Sequence, residues 1–144
     1  MSLSMSRAER EAFLAETRVA VVSVAEEGRG PLTLPVWHIY EPGAQVRFVT
    51  GGLSRKAHLI RKAPRLSLCV QTETPPYRYV SVEGPVALGV PDYERDIRPT
   101  ALRYLGTQLG ELYLQATAGD RAGSILITLS PERWLSVDYG KWGG

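Results

Sequence analysis

The chain has 144 residues, a formal net charge of +2, two histidines and one cysteine. This length fits one domain, residues 1–144, and the small charge gives little support to a nucleic-acid partner. The longest apolar runs are strand-sized and no signal peptide is recognisable, so we expect no membrane partner and a soluble, cytoplasmic protein. The few cysteines and histidines exclude the usual zinc sites. Residues 1–5, MSLSM, are treated as an extension that need not belong to the fold, because Met5 offers a second start.

Alternating apolar residues and short turns predict a mainly β chain with a few short helices. An S-x-x-E capping box at Ser6 predicts a helix to about Ala15. Two further helices are expected, at residues 92–105 with a stop at Gly106 and at residues 107–118. The predicted strands cover seven segments, at residues 19–25, 32–40, 46–50, 66–71, 77–88, 124–129 and 133–138.

The turns and glycines indicate how these strands are arranged. Residues 19–25 are apolar on both faces, which is typical of a buried strand rather than an edge. Proline cannot donate to a β-ladder, so Pro35 should lie at a break or at a sheet edge, and Gly84 with Pro85 should bend the fifth strand. Hairpin-length turns between the first three strands predict antiparallel pairing among them. A closed or partly closed barrel is therefore favoured over a doubly wound parallel sheet.

The segment from Thr50 to Arg65, TGGLSRKAHLIRKAPR, has the features of an anion-binding site. Ser54 is placed as the N-cap of a short helix, whose unpaired N–H groups and partial positive charge attract anions. Arg55 and Lys56 follow at once, and a guanidinium with an ammonium suits a terminal phosphate monoester. The alternative is a solvated helix face. Cations in a first turn are unfavourable without an anion, which favours the binding site.

No side-chain motif in the chain announces catalysis. The G-x-S-x-G elbow, the Walker loop and the G-x-G-x-x-G fingerprint are all missing from the sequence. Glu26 and Glu27 lie in a turn and are interpreted as surface charge. Catalytic residues therefore stay unassigned, and the pattern fits a chain that binds a cofactor carrying the reactive atoms.

The stretch VRFVTGGLSRKAHLIRKAPRLSL resembles the flavin-phosphate segment of the pyridoxamine 5′-phosphate oxidase superfamily. In that segment a strand ending in threonine leads through a turn to S-R-K, a helix, a Pro-Arg pair and another strand. The bent strand with V-x-V-x-G at Val80 to Gly84 and a late strand with a tryptophan are similar to the same family. The resemblance implies an α+β, mainly β split barrel, with six to seven antiparallel strands in a Greek-key-like order.

The resemblance also implies a set of cofactor-binding residues, namely Val36, Trp37, Thr50, Ser54, Arg55, Lys56, Tyr79 and Trp134. The serine and the two cations would hold the phosphate, and the threonine would contact the cofactor. The backbone of Val36 and Trp37 would run along the flavin ring. Tyr79 would come from the second subunit of a homodimer, and Trp134 would lie near the ring. Core packing is the alternative role of Trp37 and Trp134.

Two departures from the family pattern bear on the reaction. The true oxidase has an arginine where this chain has Leu34 or Pro35, and the ending WLSVDYGKWGG lacks its arginine-rich substrate motif. Oxidation of pyridoxamine phosphate is therefore not expected. The resemblance implies an oxidoreductase that uses FMN, or an 8-hydroxy-5-deazaflavin coenzyme, on a small organic substrate. The alternative is a non-enzymatic barrel that binds a flavin or a heme, with His38 or His58 as the iron ligand.

Overall fold

The computed structural model describes residues 2–143, so the two ends of the predicted domain, residues 1 and 144, lie outside the described part. A π-helical turn at Tyr93–Ile97 precedes the third helix. The helices are α1 (Arg7–Ala15), α2 (Arg55–Lys62) and α3 (Arg98–Ala116). The strands are β1 (Ala20–Val24), β2 (Leu32–Val36), β3 (Val46–Gly51), β4 (Arg65–Gln71), β5 (Arg78–Gly89), β6 (Ser124–Leu129) and β7 (Arg133–Asp138).

All strand pairs are antiparallel and belong to one curved sheet. The order is β2-β1-β4-β5-β6-β3, and β7 pairs with β5 as well. β5 pairs with β4 and β7 through its first half and with β6 through its second half, so it joins the two parts of the barrel. This arrangement confirms the predicted α+β, mainly β split barrel.

Gly84 is the corner at which β5 changes partners. A Cβ atom placed on Gly84 would lie 1.9 Å from the carbonyl oxygen of Ser130, in the connection between β6 and β7. The Ser130 N–H donates to the carbonyl of Pro85 at 3.0 Å, and the Glu132 N–H donates to the carbonyl of Glu83 at 2.9 Å. Only glycine permits this close approach of two backbones, which confirms the bend predicted there.

Several local predictions are confirmed. Ser6 forms a full capping box with Glu9, and Asp92 accepts a hydrogen bond from the Arg95 N–H. Gly106 has φ 79° and ψ 175°, so α3 consists of two helical halves that meet at the predicted stop. Pro35 lies in β2, which is an edge strand, as its missing N–H requires.

Three predictions about the early strands need correction. β2 ends at Val36 rather than continuing to residue 40, because the following residues leave the sheet to pack against α3. β3 pairs with β6 and not with β2; only an isolated bridge joins Ile39 to Arg47. β1 is an interior strand but is buried on one face only, and Val21 lies on its exposed face.

The core fills the inside of the curved sheet. Phe13 and Leu14 of α1 close one end of the barrel. The N-terminal extension also contributes, because the Met5 side chain is buried and its N–H donates to Ser136 Oγ at 3.0 Å. Among the helices of residues 2–143, not one combines the length and the apolar composition that crossing a bilayer requires. The inward strand residues are Val22, Val24, Val46, Phe48, Leu66, Leu68, Val70, Val80, Val82, Ile127 and Leu129.

We predict that Gly84→Ala lowers the free energy of unfolding by about 3 kcal/mol, since the new methyl group must push apart two hydrogen-bonded backbones. Gly89→Ala on the same strand is the matched control, because no atom lies within 4 Å of its added Cβ, and it should change the value by less than about 0.5 kcal/mol. Urea unfolding of both variants measures the difference. Equal, small effects would contradict the corner assignment.

Candidate functional site

A cavity of about 660 Å³ lies between the end of β2, the start of α2 and the inner side of α3. We call it the α3 cavity. Val36 and Trp37 line it beside β2, Val49 lines it from β3, Lys56 from α2 and Tyr113 from α3. The cavity therefore brings together three residues that the sequence predicted as cofactor contacts.

The wall beside β2 is aromatic and firmly held. The Trp37 ring stacks on Tyr104 of α3 with 5.3 Å between ring centroids and 4° between planes. The Trp37 ring also contacts the Tyr113 ring, with 5.5 Å between ring centroids and 55° between planes. These separations are those of favourable aromatic pairs. Trp37 thus packs against α3 and lines the cavity at once, and its contact with a cofactor stays a prediction.

The first turn of α2 places one cation inside the cavity. Ser54 is the N-cap, as predicted, and its hydroxyl accepts the Ala57 N–H at 3.2 Å. Lys56 Nζ donates to Thr50 Oγ1 at 2.7 Å. Burial lowers the pKa of the Lys56 ammonium, and within residues 2–143 no carboxylate pairs with it. A half-buried cation without a counter-charge favours the binding of an anion.

Arg55 points elsewhere. Its guanidinium pairs with the carboxylate of Glu26 in the β1–β2 turn, and this pairing holds the pKa of Glu26 below its usual value. Arg55 lines a separate cavity of about 660 Å³ together with His58 and Lys62. Glu26, which we interpreted as plain surface charge, is thus the partner of a predicted phosphate ligand. The two adjacent cations of α2 diverge.

Tyr79 and Trp134 do not line the α3 cavity. Tyr79 lies on the outer face of the sheet, opposite Val137 of β7. The Trp134 ring packs edge-on against the Tyr40 ring, with 6.4 Å between the ring centroids. The central carbon of the Arg10 guanidinium lies 4.6 Å from the centroid of the Trp134 ring. The α3 cavity therefore gathers Val36, Trp37 and Lys56 of the predicted set, and Thr50 adjoins it through Lys56. Arg55 and the two aromatic residues lie apart from it.

The far wall of the cavity was not predicted from the sequence. It includes Asp96, Thr117, Asp120 and Arg121, which lie around α3 and before β6. Burial would raise the pKa of Asp96, but its ion pairs with Arg95 and Arg47 hold that pKa below the usual value. No local motif marks these residues, because the fold of α3 over β2 is what brings them to the cavity.

His38 lies directly behind the aromatic wall and is completely buried. Its Nε2 lies 2.9 Å from the Leu14 carbonyl oxygen, so this nitrogen carries the proton, and its Nδ1 lies 3.1 Å from the Tyr104 hydroxyl. Both ring nitrogens are engaged, which leaves neither free for a heme iron. Burial, aided by the nearby charge of Arg103, lowers the pKa of His38 to about 4. The other candidate iron ligand, His58, is exposed on α2.

Comparison with known proteins identifies one matching family and several structures with a similar fold. The family described as pyridoxamine 5′-phosphate oxidase matches residues 6–138. A conserved hypothetical protein from Mycobacterium tuberculosis superposes with a TM-score of 0.80 at 23% identity, covering 99% of this chain and 90% of that one. An F420 reductase superposes with a TM-score of 0.63 at 19% identity, with coverages of 87% and 94%. An FAD-binding protein from Mesorhizobium loti gives 0.63 at 21% identity, with coverages of 92% and 92%. Among curated proteins, no sequence matches the chain.

We predict that His38 makes the protein less stable in acid. Its folded pKa is lowered from 6.5 to about 4, so the unfolded chain binds the proton first and stability is lost as the pH falls from about 6.5 towards 4. The loss approaches about 3 kcal/mol near pH 4. Urea unfolding at several pH values should show a flatter profile for His38→Gln, while the exposed His58→Gln variant keeps the wild-type profile. Parallel profiles for wild type and His38→Gln would refute the assignment.

Proposed function

Since this chain belongs to the pyridoxamine 5′-phosphate oxidase family, we propose that it binds FMN or an 8-hydroxy-5-deazaflavin coenzyme in the α3 cavity and works as an oxidoreductase. The observation that carries this proposal is the position of Lys56. Its half-buried, unpaired ammonium shares one cavity with the aromatic wall at Trp37. A ligand with an anionic end and a flat apolar end complements both.

The phosphate end is proposed to lie at the start of α2. Lys56 supplies a charge already oriented by Thr50, and the first N–H groups of α2 supply hydrogen-bond donors. Ser54 fixes where the helix begins and so where those donors point. Arg55 would contact the phosphate only if its guanidinium separated from the Glu26 carboxylate.

The ring end is proposed to lie against Val36, Trp37 and Val49. A cavity of about 660 Å³ is within the range of pockets that hold small ligands and cofactors, roughly 300–1,000 Å³. The stacking of Trp37 on Tyr104 fixes the wall before any ligand arrives, which reduces the ordering cost of binding. Apolar contacts at this end also exclude water from the ring.

The bound flavin or deazaflavin would supply the hydride or electron chemistry, and the chain would bind and orient it. The similar structures named an F420 reductase and an FAD-binding protein support a coenzyme of this class. The substrate is proposed only as a small organic molecule. Pyridoxamine phosphate is not proposed, because Leu34 or Pro35 stands where the oxidase has an arginine.

A homodimer is proposed to form through the outer face of the sheet. Val21 and Leu135 are exposed on this face, which also carries Tyr79. Val19 lines both the α3 cavity and a groove on the outer face, so the two are neighbours. A partner subunit on this face would therefore reach the mouth of the cavity, which is the position proposed for Tyr79.

We predict that Lys56→Met weakens FMN binding about tenfold to a hundredfold, because a charge-assisted hydrogen bond contributes about 1.5–3 kcal/mol. Riboflavin, which lacks the phosphate, should bind wild type and variant equally. Lys62→Met, in the last turn of α2, is the control and should bind FMN as wild type does. Flavin fluorescence titration gives the dissociation constants, and the absorption spectrum and mass of any copurified molecule identify the natural ligand. An unchanged FMN affinity in Lys56→Met would refute the phosphate position.

We also predict that Leu135→Glu converts a dimer into a monomer, because a carboxylate would be desolvated in the apolar interface. Leu112→Glu on α3 is the control, since Leu112 is 57% exposed and Leu135 is 59% exposed. Light scattering coupled to gel filtration measures the mass of each. A monomeric wild type, or a Leu135→Glu variant that stays dimeric, would contradict the proposed interface.

A further inference from the structure

We infer that Arg121, rather than Arg55, is the second cation that binds the phosphate group of the ligand, together with Lys56. This inference rests on the proposed function and names a binding residue that no motif in the sequence marks. Arg121 and Lys56 are the two cationic residues that line the α3 cavity within the described part of the chain.

Arg55 is not placed to bind an anion in the α3 cavity. It lines a different cavity, and its guanidinium is already neutralised by Glu26. To reach a phosphate in the α3 cavity it would have to break this ion pair and turn away from the β1–β2 turn. Arg121, by contrast, has no carboxylate partner in residues 2–143. An unpaired cation needs no such exchange before it binds an anion.

The loop that carries Arg121 is hydrogen-bonded to the turn that precedes α2. β6 begins at Ser124, which pairs with Gly51 at the end of β3. The Gly52 N–H donates to the carbonyl of Gly123 at 2.9 Å, and a Cβ on Gly52 would lie 2.4 Å from that oxygen. The loop that carries Arg121 is thus held against the same turn that leads to Ser54.

Contacts on two sides hold the Arg121 guanidinium in place. Its central carbon lies 4.6 Å from the centroid of the Tyr93 ring, and its Nη2 donates to the Leu114 carbonyl near the end of α3. Its Nε is buried and has no hydrogen-bond partner within residues 2–143. The group is therefore fixed in place while its charge stays uncompensated. Such a guanidinium can bind phosphate at low ordering cost.

Two carboxylates also line the cavity, and neither cancels this charge. Asp96 is 1% exposed and is already paired with Arg47 and Arg95. Asp120 is exposed to solvent, where salt and water weaken its field. The half-buried cations therefore dominate the field felt by a ligand inside the cavity.

The test measures FMN and riboflavin binding by fluorescence titration in three variants. We expect Arg121→Met to weaken FMN binding at least tenfold while riboflavin binding changes less than twofold. Arg121→Lys should recover part of the loss, because it restores the charge. Arg55→Met tests the competing assignment and should change FMN binding less than threefold. An Arg121→Met effect shared equally by riboflavin, or a larger effect in Arg55→Met, overturns the inference.

Inorganic phosphate separates this inference from the proposed function. If wild type binds neither flavin, the flavin proposal fails, and amide chemical shifts are then followed while phosphate is added. Shifts in residues 51–56 that are present in wild type and lost in Arg121→Met support the inference. Shifts that are absent in wild type, or unchanged in Arg121→Met, overturn it.

Discussion

The hydroxyl of Tyr104 joins parts of the chain that are distant in sequence, and the cavity depends on it. It accepts the backbone N–H of His38 at 3.0 Å and lies 2.8 Å from the carbonyl oxygen of Arg18. His38 in turn contacts the end of α1 through Leu14. Because the Tyr104 ring also stacks on Trp37, one residue of α3 sets the position of the aromatic wall. Arg103, the preceding residue of α3, adds hydrogen bonds from its guanidinium to the carbonyls of Ala15 and Glu16.

The proposed anion site is built by tertiary structure as much as by the local S-R-K motif. Adjacent residues of a helix point in directions that differ by about 100°, and in this structure Arg55 and Lys56 line two different cavities. Glu26 pairs with Arg55, and the loop before β6 places Arg121 in the cavity that Lys56 also lines. The motif therefore marks where the phosphate is proposed to bind but does not name every residue that binds it.

Local features of the fold could be predicted from the sequence, and long-range ones could not. The capping box at Ser6 and the N-cap at Ser54 depend on residues close in sequence. The bend at Gly84 could also be predicted from the local Gly-Pro pair, but its contact with Ser130 could not. The pairing of β3 with β6 depends on which strands meet after the barrel closes. Likewise, Arg55 finds a partner 29 residues away in Glu26, which spacing alone does not indicate.

The pairing of β3 with β6 also bears on the order in which the molecule is assembled. β1 with β2 and β4 with β5 are close in sequence, so each pair closes a short loop at little entropic cost. Val46 of β3, however, pairs with Leu129, which lies near the end of the chain. On the ribosome, the first two hairpins can form while the rest is still being made. The cavity cannot exist until β6 has emerged, which makes the proposed binding site one of the last parts of the protein to form.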